Sequence, residues 1–309
     1  MIEPLRPAAL TAGDLVALVS PSGPVPPDRA DAAVGVLTGW GLRTRMGDHA
    51  LGRNGYLAGT DAQRLADLNA ALADPDVRAV LCLRGGYGMQ RIIDGVDLDA
   101  VRRDPKLVMG FSDITALHLG LWQGARLATV HGPVAAQFDK GAGSVTAIGA
   151  KTVLMSDAPV TVHADEAEST FRVRRPGRAE GVLLGGNLSM VASSVGTPHM
   201  PDLTGAILLI EDVNEAPYRI DRMLTQLLRA GVLDGLAGVA IGQFTECEDD
   251  SWTTTTEDVL EDRLGALGVP LLGGLPIGHG EQHLAVGVGV PAVLDADSGT
   301  LVVEPVTIR

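Results

Sequence analysis

Short apolar runs that stop at glycine- or serine-rich turns alternate with helix-patterned stretches, and this alternation restricts the fold more than any other feature of the chain. Leu15-Val-Ala-Leu-Val19 runs into Ser20-Pro-Ser-Gly23, Asp28 to Trp40 has helical spacing and ends before Gly41, and Arg43 to Met46 reads as a second strand. Thr60 is placed to cap a helix from Asp61 to Ala73, in which Leu65, Leu68 and Leu72 share one face. Ala79-Val-Leu-Cys-Leu83 breaks into Arg84-Gly-Gly-Tyr-Gly88, Leu107 to Gly110 stops before a helical pattern, and Ala128 to His131 is a further strand. Strands that are apolar on both faces and separated by helices predict an α/β fold with a mostly parallel sheet flanked by helices.

The chain of 309 residues is long enough for two domains. Gly, Ser, Asp and charged residues rise between about 140 and 178, ending in Arg172-Val-Arg-Arg-Pro-Gly-Arg178, a cluster that reads as a solvated face. The expected division is therefore an N-terminal domain over 1–150, a linker over 151–178 and a C-terminal domain over 179–309. The second half restarts with Gly181 to Leu184, the loop Gly185-Gly-Asn187 and a helix from Leu188 to Val195. Strands at Ala206 to Ile210 and Gly238 to Phe244 flank a helix from Tyr218 to Ala230, and Thr256 to Leu267 is helical. Valines 286, 288 and 290 alternate with glycines, and Leu301 to Val303 follows, which predicts closing antiparallel strands and hence a mixed sheet in an α/β C-terminal domain.

Composition removes several classes of function. Lys and Arg total 24 against 38 Asp and Glu, a net charge of −14, so no basic field exists to hold nucleic acid or an anionic membrane. Aromatic residues are 3% of the chain, too few for base-stacking platforms. Only Cys82 and Cys247 occur, with no CxxC spacing, so neither a disulfide framework nor a cysteine zinc site is indicated, and Cys82 reads as a core thiol. The first residues lack a basic segment followed by an apolar run, and no uninterrupted apolar stretch of about 18 residues follows, so a cytoplasmic location is expected.

In a parallel sheet the loops after the strands' carboxyl ends carry chemistry, which places Arg84 to Gly88 and Ser112 on one rim. In Leu107-Val-Met-Gly-Phe-Ser-Asp-Ile-Thr-Ala116, Ser112 is either a helix N-cap or a serine lifted on a strand-turn-helix elbow, where Gly110 relieves crowding. Glu211 directly follows five apolar residues; it is either a buried functional carboxylate, a solvated residue past the strand end, or a partner of Arg219 or Arg222. His279 lies in Gly278-His-Gly280, and in an extended strand His279, Glu281 and His283 would share a face and form a metal-site alternative.

A hydroxyl needs a base, and the base needs a carboxylate to hold its tautomer, so Ser112, His279 and Glu211 together suggest a nucleophilic triad drawn from both domains. Backbone N–H groups of the loop Arg84 to Gly88, with that of Asp113, supply a candidate oxyanion hole. Phosphate binding is the weaker reading of that loop, because neither GxGxxG nor a Walker-type Gly-Lys-Ser/Thr is present.

Seven segments in order, Val19-Ser-Pro-Ser-Gly23, Arg84-Gly-Gly-Tyr-Gly88, Gly110-Phe-Ser-Asp113, His131-Gly-Pro133, Gly185-Gly-Asn187, Glu211-Asp212 with Arg219, and Gly278-His279, resemble the LD-carboxypeptidase family of serine peptidases. The resemblance implies Ser112 as nucleophile, His279 as general base and Glu211 as its orienting carboxylate, with the amides of Gly86 and Asp113 as oxyanion donors. It further implies cytoplasmic, dimeric, metal-independent and cofactor-free enzymes that release terminal D-alanine from murein tetrapeptides in peptidoglycan recycling. Arg84, Tyr87 and Asn187 are the expected substrate contacts. Gly110-Phe-Ser-Asp-Ile114 lacks the second glycine of GxSxG, so an α/β-hydrolase fold is not implied. A related branch, the microcin C self-immunity peptidases, leaves acyl-adenylate-like amides as an alternative substrate, and a non-catalytic two-domain peptide binder is the alternative of a different class.

Overall fold

The computed structural model describes residues 3–248, 251 and 253–309. In chain order the strands are β1 (Leu15–Val19), β2 (Arg43–Met46), β3 (Val77–Cys82), β4 (Leu107–Gly110), β5 (Thr129–His131), β6 (Val160–His163), β7 (Arg174–Arg175), β8 (Arg178–Asn187), β9 (Ile207–Val213), β10 (Gly238–Thr245), β11 (Leu271–Leu272), β12 (Val286–Val288), β13 (Pro291–Asp295) and β14 (Thr300–Val303). The α-helices are α1 (Pro27–Gly39), α2 (Asp61–Ala73), α3 (Leu98–Arg103), α4 (Thr115–Ala125), α5 (Val145–Met155), α6 (Leu188–Ser194), α7 (Pro217–Arg229) and α8 (Thr256–Gly265).

Two compact units form. The first holds the chain up to Ala158 together with Ala285–Gly289 and Pro305–Arg309. Its six-stranded sheet has the order β12-β5-β4-β3-β1-β2, parallel throughout except that β12 runs antiparallel to β5. Every residue of β1 and β4 is buried, as a strand covered on both faces requires. Val80, Val108, Phe111, Ile114, Leu117 and Leu121 belong to one buried cluster, so the helix entered from β4 rests directly on the sheet. Helix α2 starts where the sequence predicts: the Thr60 hydroxyl accepts the Gln63 N–H, and the Gln63 side chain accepts the Thr60 N–H.

The second unit holds Pro159–Leu284 and Val290–Glu304. Its eight-stranded sheet has the order β6-β14-β13-β8-β9-β10-β11-β7, with a parallel centre of β8, β9, β10 and β11 and antiparallel flanks. The α/β class and the two kinds of sheet agree with the sequence pattern. Helix α7 carries Ile220, Leu224 and Leu227 on its buried face and charged residues opposite, the spacing of a helix lying on a sheet.

The expected boundaries differ from these units in two places. Residues 151–178 are not a linker: they contain the end of α5 and two edge strands, β6 and β7. An edge strand is blunted by charge and polarity, as in Arg174-Arg175 and Val160-Thr-Val-His163, so its composition imitates a solvated crossing. The chain also returns to the first unit at β12, because Val286 and Val288 complete the open edge beside β5.

Removing the hydroxyl at Thr60 breaks one half of the reciprocal cap. Thr60→Ala should lower the stability of the first unit by about 1 kcal/mol in urea unfolding, and an unchanged midpoint would contradict the capping geometry.

Candidate active site

Strand β4 ends at Gly110, and Ser112 takes a left-handed backbone with φ of 64°, which is uncommon for a side-chain-bearing residue. A Cβ at Gly110 would stand 2.9 Å from Ile114 and 3.1 Å from the Cβ of Cys82, so only glycine allows the turn to close this tightly. The Gly110 carbonyl accepts the Gly132 N–H at 3.1 Å and His118 Nε2–H at 2.9 Å. Burial pushes the His118 imidazole down to about 4 despite that bond, so it stays neutral while it holds the turn from beneath. Ser112 is not the cap of α4: that position is Ile114, with no side-chain cap bond, and Ser112 to Ile114 form a short 3₁₀ turn. The elbow reading therefore holds over the cap reading.

The Arg84 to Gly88 loop lies against this turn, since a Cβ at Gly85 would be 2.8 Å from Ser112 Cβ and 3.1 Å from its Oγ. The Asp113 side chain, buried beneath the turn, accepts the Ser22 hydroxyl at 2.6 Å and the Met89 N–H at 2.8 Å through Oδ2. Burial raises its carboxyl above the ordinary range, and these bonds oppose the rise. Sequence reading assigned a role only to the Asp113 amide. Arg84 is exposed and donates Nη1 to the Pro24 carbonyl at 2.7 Å. Tyr87 is half exposed and meets Tyr56 edge to face, with ring centres 5.6 Å apart. Cys82 is a core thiol as expected, pushed up to about 12 by burial and by the Asp113 charge.

In the second unit β9 continues through Glu211 and Asp212, so Glu211 is a fully buried strand residue and not a solvated one beyond the strand end. Its Oε2 accepts from His279 Nδ1 at 2.6 Å. Arg219 instead reaches Glu215 at 3.5 Å, and both Arg219 and Arg222 lie over the Tyr218 ring. Two glycines make room for the pair. A Cβ at Gly278, where φ is 136°, would lie 2.8 Å from Glu211 Oε2, and one at Gly242 would lie 2.2 Å from the Ile277 oxygen. Gln243 then fastens the loop that carries His279: its Oε1 accepts the Gly280 N–H at 2.7 Å, and its Nε2 donates to the Gln282 carbonyl at 3.1 Å and to Glu168 at 2.7 Å.

Successive side chains of a strand face opposite ways, so Asp212 points away from Glu211. It accepts Asn187 Nδ2 at 2.9 Å and both the N–H and hydroxyl of Ser189, at 3.0 and 2.8 Å. Burial, then the Glu211 charge, pushes it up to about 6. Asn187 is a buried brace as well as an expected substrate contact: its Oδ1 also accepts the Met190 N–H at the start of α6. No strand runs through 279–283; Glu281 is exposed and His283 buried, so the shared face that a metal site requires is not formed. Among the described residues, no group of three or more His, Cys, Asp and Glu side chains is placed to hold a metal ion.

Residues 16–132 match the LD-carboxypeptidase N-terminal domain and residues 180–294 match the LD-carboxypeptidase C-terminal domain. The chain belongs to the LD-carboxypeptidase family. By that membership it is a serine-type carboxypeptidase. A Streptomyces coelicolor protein named as a carboxypeptidase is 48% identical, covering 98% of this chain and 97% of its own. The murein tetrapeptide carboxypeptidase of Pseudomonas aeruginosa is 36% identical over 91% of this chain and 93% of its own. The crystal structure of muramoyltetrapeptide carboxypeptidase from Oxalobacter formigenes has a TM-score of 0.84 at 29% identity, covering 95% of this chain and all of that one. The microcin C7 self-immunity protein in its wild-type apo state shares the fold, with a TM-score of 0.85 at 23% identity over 97% of this chain and 98% of that one.

Burial pulls the His279 imidazole down, but the Glu211 charge and hydrogen bond, with Asp212 behind them, hold it above its ordinary value of 6.5. Because the folded value is raised, the pair's contribution to stability is fully present below about pH 6.5 and is lost as pH rises through the folded value. Glu211→Gln removes the charge and leaves burial in control, so the His279 titration, followed by NMR of its ring protons, should move to lower pH. A titration that does not move would contradict the pairing.

Proposed function

We propose that this enzyme hydrolyses the amide between an L-configured centre and the terminal D-alanine of murein tetrapeptides, in the cytoplasm and as a homodimer. The observation that carries the reading is the 2.6 Å bond from His279 Nδ1 to the buried Glu211 carboxylate. A proton fixed on Nδ1 makes Nε2 the accepting nitrogen, which is the tautomer a general base requires. In the proposed reaction Ser112 Oγ loses its proton to His279 Nε2 and attacks the amide carbonyl. The imidazolium, stabilised by Glu211, returns the proton to the departing D-alanine nitrogen, leaving an ester on Ser112. Water, deprotonated by the same imidazole, then attacks the ester and frees the shortened peptide. The amides of Gly86 and Asp113 stabilise the oxyanion in both steps, a contribution of about 10²–10³ in kcat per donor.

The relatives named for murein peptides favour the tetrapeptide over acyl-adenylate-like amides, because the self-immunity protein's likeness extends to the fold alone. Arg84 and Tyr87 stand on the loop after β3 that lies against the serine turn, which supports them as substrate contacts. Release of D-alanine from the tetrapeptide, followed by a coupled amino-acid oxidase, is the decisive measurement. Ser112→Ala and His279→Ala should each lower kcat by at least about 10³, since members of such a unit fail together. Turnover retained by Ser112→Ala sinks the serine assignment, and activity lost to chelators and restored by zinc returns the metal reading. Faster turnover of an aminoacyl-adenylate analogue would exchange the substrate class while leaving the chemistry in place.

A further inference from the structure

The loop Ser20-Pro-Ser-Gly23 follows β1 and has no part in the reaction described above, yet its last two residues make their bonds inside the serine's surroundings. The Gly23 N–H donates to the Gly85 carbonyl at 2.9 Å. A trans peptide is planar, with its C=O and N–H on opposite sides, so fixing the Gly85 oxygen toward Gly23 fixes the Gly86 N–H away from it. That peptide joins two glycines, and Gly86 has φ of 106°; without a Cβ on either side, rotation of the whole peptide plane meets little steric resistance. The direction of the Gly86 N–H is therefore set by its partners and not by local sterics.

The neighbouring bonds keep Gly23 where it can do this. Ser22, fully buried, donates its hydroxyl to Asp113 Oδ2 at 2.6 Å, and the same oxygen accepts the Met89 N–H at 2.8 Å. One carboxylate, belonging to the residue after the candidate nucleophile, thus joins the β1 loop and the far end of the glycine loop to the serine turn. Buried Arg64 donates Nη1 to the Pro21 carbonyl and also to the Gly88 carbonyl, the latter at 2.9 Å, so it grips the same two loops from α2. Space is as restricted as direction: a Cβ at Gly23 would stand 2.9 Å from the Gly85 oxygen.

We propose that the Ser22-Gly23 segment is a positioning element that locks the Gly85-Gly86 peptide in the orientation that points the Gly86 N–H to the oxyanion, with Asp113 and Arg64 holding the lock in register. The inference rests on the reading of Ser112 and Gly86 given above. A donor peptide held in advance stabilises the tetrahedral intermediate without reorganising, so the lock should act on the chemical step and leave ground-state binding alone.

Two variants test it, each read in two ways. Gly23→Ala pushes the Gly85 oxygen out of place, and Ser22→Ala cuts the tie to Asp113. Each should lower kcat for D-alanine release by about 10–100-fold, the range for weakening one oxyanion donor, with KM within about twofold. The rate at which a fluorophosphonate phosphonylates Ser112, a reaction that also builds negative charge on an oxygen beside the serine, should fall in parallel. Thermal unfolding identifies a variant that does not fold; if Gly23→Ala is such a case, Ser22→Ala decides. Wild-type labelling rates in a folded variant, or a loss that appears in KM with kcat intact, overturn the lock. Labelling does not require the murein substrate, so these rates judge the lock even if the tetrapeptide is not turned over. A wild-type protein that neither labels at Ser112 nor releases D-alanine overturns the serine reading and the lock with it.

Discussion

A carboxylate buried in the middle of a parallel sheet is the constraint on which the second unit depends. Moving an ion of this kind out of water is unfavourable by several kcal/mol unless charge and hydrogen bonds offset it. For Glu211 the offset is a single 2.6 Å bond to an imidazole, and the surrounding backbone is shaped to allow it. Strand β10 slips register between Ile241 and Phe244, Gly242 makes room for the Ile277 carbonyl, and Gly278 turns through positive φ past the carboxylate. Gln243, displaced by that slip, becomes the clamp on the loop that carries His279. The irregular stretch of β10 is thus the local consequence of placing an imidazole beside a buried carboxylate.

The first unit solves a different problem, that of holding a serine in a backbone conformation that its Cβ disfavours. A left-handed residue persists only where its surroundings over-determine it. Here β4 supplies a fully buried strand leading in, α4 a helix buried from Thr115 to Trp122 leading out, and the Gly110 carbonyl is tied twice from below. His118 is suited to this task because burial keeps it neutral, so it donates from Nε2 without bringing a charge beneath the serine turn.

The parts of this architecture legible in the sequence were those with a local cause. The helix over Asp61 to Ala73 follows from Thr60, Gln63 and the leucine spacing, and the parallel strands follow from apolar runs that end at turns. Ser112, Glu211 and His279 stand out in the sequence because each lies just beyond or between glycines or at the end of an apolar run. The bracing bond of Asn187 left no sequence signal, because its partner Asp212 is 25 residues away and no local pattern announces it. Edge strands β6 and β7 read as linker because what keeps an edge from pairing further, charge and polarity, is also what makes a linker soluble. Gln243 left no signal at all, since its function follows from a register slip in a strand and not from its own sequence context.

In both units a buried aspartate follows directly on the candidate residue. Asp113 follows Ser112 and joins two loops through Ser22 and Met89; Asp212 follows Glu211 and joins β8 and α6 through Asn187 and Ser189. Burial raises both carboxyls, and each offsets that by accepting several hydrogen bonds, about 1.5–3 kcal/mol apiece where the acceptor is charged. Adjacent side chains share a peptide plane, so a brace on one side of the backbone restricts the dihedrals that aim the side chain on the other. This arrangement separates two demands that conflict in a single residue. Ser112 and Glu211 stay sparsely bonded, while the neighbouring aspartate takes the dense, charge-assisted bonding that holds the backbone still.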